Sequence, residues 1–162
     1  MKSCITAFLL LVATMSPSSA EEKEGVMVDV QKTSLERHDG VRHSAGTMSI
    51  DRQMALRILV RNNSMRPVPE TTLNYVMVIE RWNHENSRFQ RSEGQLKLAT
   101  LAPCLSTTLD AGNVHIGGHL HGTSERHMDH IVGWKVSIVL DGKSLDFMSN
   151  PNFEALNKRA DR

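Results

Sequence analysis

Cysteine is scarce in this sequence of 162 residues, which has two cysteines, Cys4 and Cys104. Cys4 lies in an N-terminal segment typical of a cleaved export signal, so we expect one thiol in the mature chain. A single thiol cannot form an internal disulfide, which excludes the disulfide-stapled class of small secreted domains. Because Pro103 and Leu105 flank Cys104, we expect a buried thiol, and an intermolecular bond is the alternative.

A surplus of either charge is also lacking. The chain has 19 basic and 18 acidic residues, and removing Lys2 with the signal leaves equal numbers. This balance argues against nucleic acid or an anionic membrane as the main partner, since both attract a clearly positive surface. It also gives little electrostatic protection against self-association. Aromatic residues are few, at 4%, and dispersed, which argues against a stacking platform for sugars or single strands.

Long hydrophobic runs are lacking apart from one at the N-terminus. The first 20 residues combine a charge at Lys2, an apolar run over Ile5–Ala13 and small residues at Ser18–Ala20. This pattern predicts a signal peptide over 1–20, and the run is too short to cross a bilayer. We therefore expect a protein exported to the periplasm, the outer surface or the medium. It would have a single domain over 21–162 and no membrane insertion after cleavage.

The strongest structural signal lies at Ile131–Gly142. Alternate apolar residues fall on one side of an extended chain there, which predicts a half-buried strand. These residues are Val132, Trp134, Val136, Ile138 and Leu140. Asp141-Gly142 then supplies the two positive-φ positions of a tight type I′ hairpin, with Ser144–Phe147 as the partner strand. We interpret this strand as the centre of a β-sandwich.

Further strand signals recur at intervals of roughly ten to twenty residues. The clearest are Val26–Val30, Met54–Arg61 and Thr72–Trp82, and the shorter ones are Ser87–Arg91, Gln95–Leu101, Cys104–Leu109 and Val114–His121. Between them, Lys32–Thr47 shows no periodicity and predicts a long connection, either without regular structure or with an irregular edge segment. Asp110–Asn113 predicts a turn, and Gly117-Gly118 a bulge or a bend.

Asn150-Pro151 predicts the start of a short C-terminal helix, because Asn favours the N-cap and Pro the first helical position. Phe153 and Leu156 would form its narrow apolar stripe. Many short strands followed by one helix predict an all-β fold. The expected architecture is an immunoglobulin-like antiparallel β-sandwich of about seven strands with a short C-terminal helix.

Three strand segments carry a resemblance. They read Leu-Arg-Ile-Leu-Val-Arg-Asn-Asn-Ser at 56–64, Val-Met-Val-Ile-Glu-Arg-Trp at 76–82, and Val-Gly-Trp-Lys-Val-Ser-Ile at 132–138 with Asp-Gly-Lys after it. This layout, over most of the mature chain, resembles small exported immunoglobulin-like proteins of Gram-negative bacteria, some associated with type IV pilus systems. The resemblance implies a binding or assembly module outside the inner membrane, without catalytic residues. The cysteine pair of antibody domains is missing, which leaves Trp134 as the candidate core tryptophan.

Histidine forms the densest cluster of reactive side chains, with five imidazoles in one short stretch. They are His115, His119, His121, His127 and His130. His119 and His121 would lie on one face of a strand, a spacing that suits zinc or copper. A third ligand would come from His115 or His130, and Asp129 would orient one imidazole. Acid sensing is a second interpretation, and polar edge or loop residues without a function are a third.

Motifs for catalysis are missing. The sequence has no Gly-x-Ser-x-Gly elbow, no His-Glu-x-x-His and no phosphate loop. We therefore predict a non-enzymatic exported domain that acts through protein contacts, in pilus or cell-surface assembly. Its edge strands would pair with another protein or with a second copy of the chain. The alternative is a periplasmic zinc or copper binding protein that uses the cluster His115–His130.

Overall fold

The computed structural model describes residues 19–42, 47–82, 87–121 and 124–160. These residues form two antiparallel sheets and one short helix, which confirms the predicted all-β sandwich with a C-terminal helix. The elements are β1 Ser19–Lys23, β2 Val26–Arg42, β3 Thr47–Asn62, β4 Thr71–Arg81, β5 Arg88–Leu98, β6 Ser106–His121, β7 Ser124–Met128, β8 His130–Leu140, β9 Lys143–Met148 and α1 Phe153–Ala160. Residues 1–18 of the predicted signal peptide lie outside the described residues.

The strand order is that of an immunoglobulin-like sandwich with two additions. The five-stranded sheet has the order β1-β2-β3-β6-β7, and the four-stranded sheet has the order β5-β4-β8-β9. β2, β3 and β6 occupy the A, B and E positions, and β4, β8 and β9 occupy C, F and G. β5 stands beside β4 as the C′ strand does. β1 and β7 extend the two edges of the five-stranded sheet, so the described residues contain nine strands instead of about seven.

β8 lies inside the four-stranded sheet, between β4 and β9, as expected for the central strand. Trp134 is 4% exposed, and the predicted inward alternation holds from there to Leu140. At the start of β8 the prediction was wrong, because a register shift pairs Ile131 with Ile79. The shift buries Ile131 in place of Val132, as a bulge does when it adds one residue to a strand.

The predicted hairpin after β8 is confirmed. Asp141 and Gly142 have φ values of 49° and 75°, both in the left-handed region that a type I′ turn requires. β9 then pairs back along β8, from Lys143 opposite Leu140 to Met148 opposite Lys135.

α1 covers the outer face of the four-stranded sheet. A Cβ atom on Gly133 would lie 3.2 Å from Phe153 Cδ2 and 3.3 Å from Leu156 Cδ1, so glycine lets the helix approach the strand closely. The side chain of Val78, which faces this side of β4, is buried for the same reason. The helix begins at Phe153 instead of Pro151.

Two predicted connections are strands. Within the predicted connection Lys32–Thr47, the chain up to Arg42 continues β2 and pairs with β3, with register shifts at Ser34/Glu36 and Asp39/Arg42, so this part is an irregular edge strand. Asp110–Asn113 is not a turn, because β6 runs through it with a register shift opposite Ala55. Gly112 has a φ of 70° at this shift, which is the left-handed conformation that a glycine bulge uses. The bulge therefore lies at Gly112, not at the predicted Gly117-Gly118.

Cys104 is exposed, so the prediction of a buried thiol was wrong. It has a φ of 59° in the turn where the N–H group of Leu105 donates to the carbonyl oxygen of Ala102, at 3.2 Å. The strand resumes only at Ser106. A turn at the surface therefore holds the thiol outside the core.

Asn62, at the end of β3, is a fully buried polar residue. Its Nδ2 donates to the carbonyl oxygens of Arg66 (2.8 Å), Leu101 (3.1 Å) and Ala102 (3.2 Å). Its Oδ1 accepts from the N–H group of Ser64, at 3.0 Å, and from the hydroxyl of Ser64, at 2.7 Å. One amide thus joins the loop after β3 to the segment before β6.

A hydrophobic core fills the space between the two sheets, with Phe147 and Leu56 among its fully buried side chains. Among the described residues, no helix has the length and apolar character needed to span a bilayer.

Candidate interaction edge and histidine positions

The edge of the five-stranded sheet at β2 is only partly covered. β1 pairs with Val26–Val30 and no further. From Gln31 to Arg42, β3 is the only strand beside β2 in the described part of the chain. Backbone groups that point away from β3 along this segment form a template for another strand. We call Gln31–Arg42 the open edge.

The open edge carries an exposed leucine. Leu35 is 43% exposed and lies at the register shift between Ser34 and Glu36. Charged residues of both signs follow it, from Glu36 to Arg42. The leucine can make an apolar contact with a partner strand, and the mixed charges around it can pair with acidic or basic residues of that strand. This segment therefore suits protein recognition better than binding to a uniformly charged surface.

The edges of the four-stranded sheet differ from the open edge. Lys23 of β1 donates from Nζ to the carbonyl oxygen of Asp146, and Nζ lies 5.2 Å from the ring centroid of Phe147. β1 thereby closes the β9 side of the sandwich. β5 forms the opposite edge, as predicted for Ser87–Arg91, and alternates exposed charged residues such as Arg91 along its length. Charges of this kind discourage strand addition.

Lys32 fixes the start of the open edge to the other sheet. Its Nζ donates to the carbonyl oxygen of Ile131 at 2.6 Å, and burial of the ammonium group lowers the pKa of Lys32 below its ordinary value. The contact borders a cavity of about 150 Å³ between the sheets. Arg52 also lines this cavity, on the inner face of β3. The open edge is therefore anchored before any partner binds.

Asp129 joins the two sheets at the link between β7 and β8. Its Oδ2 lies 2.7 Å from Arg81 Nη1 and accepts the N–H group of Gly117 at 3.2 Å. Its Oδ1 accepts the N–H group of Trp82 at 2.8 Å. These hydrogen bonds give Asp129 a structural role between strand ends, where we had expected it to orient an imidazole.

The structure separates the predicted metal ligands. His115 and His119 are exposed on β6, and His121 ends that strand, with a side chain outside the described ones. His130 lies on β8 in the other sheet, opposite Glu80. Among the described side chains, no three from His, Cys, Asp and Glu converge on one point. The zinc or copper site at His115, His119, His121 and His130 stays a prediction.

The sequence did not predict the cross-strand partners of His127 and His38, because neither β7 nor the continuation of β2 has a strand signal. β7 pairs with β6 and places His127 opposite His119. Likewise, the continuation of β2 places His38 opposite Asp51.

The outer face of the four-stranded sheet carries a lysine with two acidic partners. Lys135 Nζ lies 3.0 Å from Asp146 Oδ2 and 3.2 Å from Glu154 Oε1. The hydrogen bond to Asp146 raises the pKa of Lys135. Burial alone would raise the pKa of Asp146, but hydrogen bonds from Lys135 and two serines outweigh burial and lower it. The pair therefore stabilises the fold only while both groups are charged.

Replacing Asp146 with asparagine should lower the free energy of unfolding at neutral pH by about 0.2–1 kcal/mol, the range measured for solvent-accessible ion pairs. Since the pKa of Asp146 lies below its ordinary 3.8, its contribution is present above about pH 4 and is lost as the pH falls further. The variant should accordingly lose less stability on acidification than the parent protein. Urea unfolding at several pH values measures this. Asp141→Asn, in the exposed turn of the same hairpin, is the matched control, and equal acid slopes for parent and Asp146→Asn would contradict the prediction.

Comparison with protein-family models gives no match, and comparison with curated proteins gives none either. The resemblance to exported immunoglobulin-like proteins therefore stays a prediction. What the chain itself provides is an immunoglobulin-like sandwich with one open edge on β2, and with His115 and His119 exposed on β6 of the same sheet.

Proposed function

We propose that this protein is a non-enzymatic, exported immunoglobulin-like domain that acts through protein contacts in pilus or other cell-surface assembly. The observation that carries the proposal is the open edge, Gln31–Arg42, which has a strand on one side only in the described residues. Strand addition at such an edge gives affinity through backbone hydrogen bonds and specificity through alternate side chains. The export signal predicted at 1–20 supports a site of action outside the cytoplasm.

The occupant that fits the open edge best is a second copy of the chain. Two antiparallel copies of this segment, related by a twofold axis, present the same surface to each other. An axis between Glu36 and Arg37 would put Glu36 of each copy opposite Arg37 of the other, and cross-strand pairs of opposite charge are favourable. Lys32 already fixes the start of the segment. Association therefore costs little further conformational entropy there.

Native mass spectrometry of the protein purified after export tests the proposal. We expect a dimer, and we expect Leu35→Lys to weaken it about tenfold or more, since 1.4 kcal/mol suffices for that change and lysine on an edge opposes strand pairing. Leu105→Lys is the matched control, because Leu105 is 56% exposed but lies outside the open edge. It should leave the dimer intact.

Two results would count against this function. A strict monomer that captures no protein from an envelope extract contradicts assembly through the edge. A dimer that both lysine variants weaken equally contradicts the assignment to the open edge, because a general loss of exposed leucine would then explain the effect.

A further inference from the structure

Two basic residues occupy inward-facing positions in the five-stranded sheet. On β2, Val28 and Val30 are buried in the core, and Lys32 is the next residue on that face, since side chains alternate along a strand. On β3, Arg52 follows the buried Ile50 in the same way. Both basic side chains line the cavity of about 150 Å³ between the sheets. Positions that hold apolar core residues elsewhere in these strands therefore bring two cationic groups to one cavity.

The acidic group at this cavity is Asp129, and its carboxylate is already well satisfied. Its Oδ2 lies 2.7 Å from Arg81 Nη1, and its two oxygens also accept the N–H groups of Gly117 and Trp82. The guanidinium of Arg81 balances its negative charge. Among the described residues that line the cavity, basic groups thus outnumber acidic ones, and an anion inside it would meet a favourable potential.

The rest of the cavity wall is mainly apolar. Ile116, Met128 and Ile131 line it and are buried. An apolar cavity of about this volume can hold a molecule of the size of benzene. Lys32 and His130 also line the cavity and are exposed residues, so it opens to the surface. A ligand with a negative head and a short apolar body would match both parts of this wall.

We propose that this cavity binds a small organic monocarboxylate, with the carboxylate at Lys32 and Arg52 and the apolar body against Ile116 and Met128. The ammonium group of Lys32 donates one hydrogen bond to Ile131 and has further N–H donors for a ligand. A guanidinium has five N–H donors, so Arg52 can keep other partners and still bind an anion. Hydrogen bonds between charged groups of this kind are strong.

The buried ammonium group gives this site a further reason to bind an anion. Burial lowers the pKa of Lys32, which means that its surroundings disfavour the charged form. A carboxylate beside it would favour that form and offset the effect. The site does not depend on strand addition, although Lys32 belongs to the open edge, because its ligand would lie between the sheets.

Calorimetric titration of the purified exported protein with hexanoate tests the site, and we expect saturable binding of one hexanoate per chain. Hexanamide and acetate should each bind about tenfold or more weakly. Hexanamide has the same length but no charge to pair with the two basic groups, and acetate buries much less apolar surface. Tighter binding of N-acetyl-leucine than of hexanoate would identify the natural ligand as the end of a protein chain, and the reverse order would identify a free acid.

Lys32→Met and Arg52→Met should each weaken hexanoate binding about tenfold or more, because each keeps an apolar side chain but removes a charged donor. Arg57→Met is the matched control. Arg57 lies on β3 as Arg52 does, but it is exposed on the outer face of the sheet, where Nε lies 3.1 Å from Asp110 Oδ1. This variant should bind hexanoate as the parent protein does. Unchanged circular dichroism checks that all three variants fold.

Three outcomes would overturn the site. One is the lack of saturable hexanoate binding, and the second is equal binding of hexanoate and hexanamide, which would indicate an apolar cavity without anion recognition. The third is equal weakening by all three methionine variants, which would indicate general attraction to a basic surface. Because the readout is bound carboxylate, a monomeric protein that still binds hexanoate would refute strand addition and leave this site standing. A dimer that binds no hexanoate would do the reverse.

Discussion

Replacing Asn62 with alanine is expected to lower the free energy of unfolding by about 3–4 kcal/mol. The amide is fully buried and donates to three carbonyl oxygens that belong to two separate segments. Without it, each acceptor keeps one other donor, such as the N–H group of Val68 for Leu101, but the five hydrogen bonds of the side chain are lost, at about 0.5–1.5 kcal/mol each. Part of this cost is recovered if water enters the space. Urea unfolding followed by tryptophan fluorescence measures the change.

Asn63→Ala is the matched control, because the neighbouring amide is exposed and donates only to Glu22, at 3.1 Å. Its effect should stay within about 0.5 kcal/mol. Asn62→Asp adds a second test, since the carboxylate has the same shape but no donors and would face the three carbonyl oxygens. It should cost at least as much as alanine at neutral pH. If Asn62→Ala and Asn63→Ala had equal effects, the network around Asn62 would not stabilise the fold.

The second large effect is expected for Phe147→Ala, at about 3–5 kcal/mol. Phe147 is fully buried on β9 and lies between the sheets, so its removal leaves a cavity that the surrounding strands cannot close. The change also removes the ring over which Lys23 lies, and so loosens β1. Thermal unfolding and urea unfolding should report the same loss.

Phe89→Ala provides the comparison with the same chemical change at a different depth. Phe89 is half-buried on β5, with Arg159 Cζ 4.2 Å from its ring centroid. Removing this contact should cost about 1 kcal/mol. A greater loss for Phe89 than for Phe147 would mean that the contact between α1 and β5, and not the space between the sheets, dominates stability.

Periodicity was sufficient to predict the strands whose inner face is apolar. β8 was predicted nearly to its bounds, because from Trp134 onward every second residue enters the core. The continuation of β2 was missed because polar residues replace that pattern. Lys32 points its ammonium group at a carbonyl of the other sheet, and Arg52 faces the same cavity from β3. A charged residue on the inner face of a strand interrupts the alternation of apolar and polar residues, so the sequence of such a strand resembles that of a loop.

The candidate sites depended on pairings that the sequence does not specify. His119 and His130 are close in the chain, but successive strands of a sandwich can enter different sheets, and β8 belongs to the sheet opposite β6. The exposure of Cys104 likewise could not be predicted from its neighbours in the sequence. Its apolar neighbours favour burial, whereas the turn that ends before Ser106 decides its position.

The single extra residue at Gly112 determines which way the histidines of β6 face. Before it, odd-numbered residues such as Ala111 enter the core, and after it even-numbered residues such as Ile116 do. A strand that kept the first phase would turn His115 and His119 inward, since a slip of one residue exchanges the two faces. The inserted residue thus exchanges which residues of β6 face inward and which face outward. Any relative of this chain without it should carry apolar residues at those two positions.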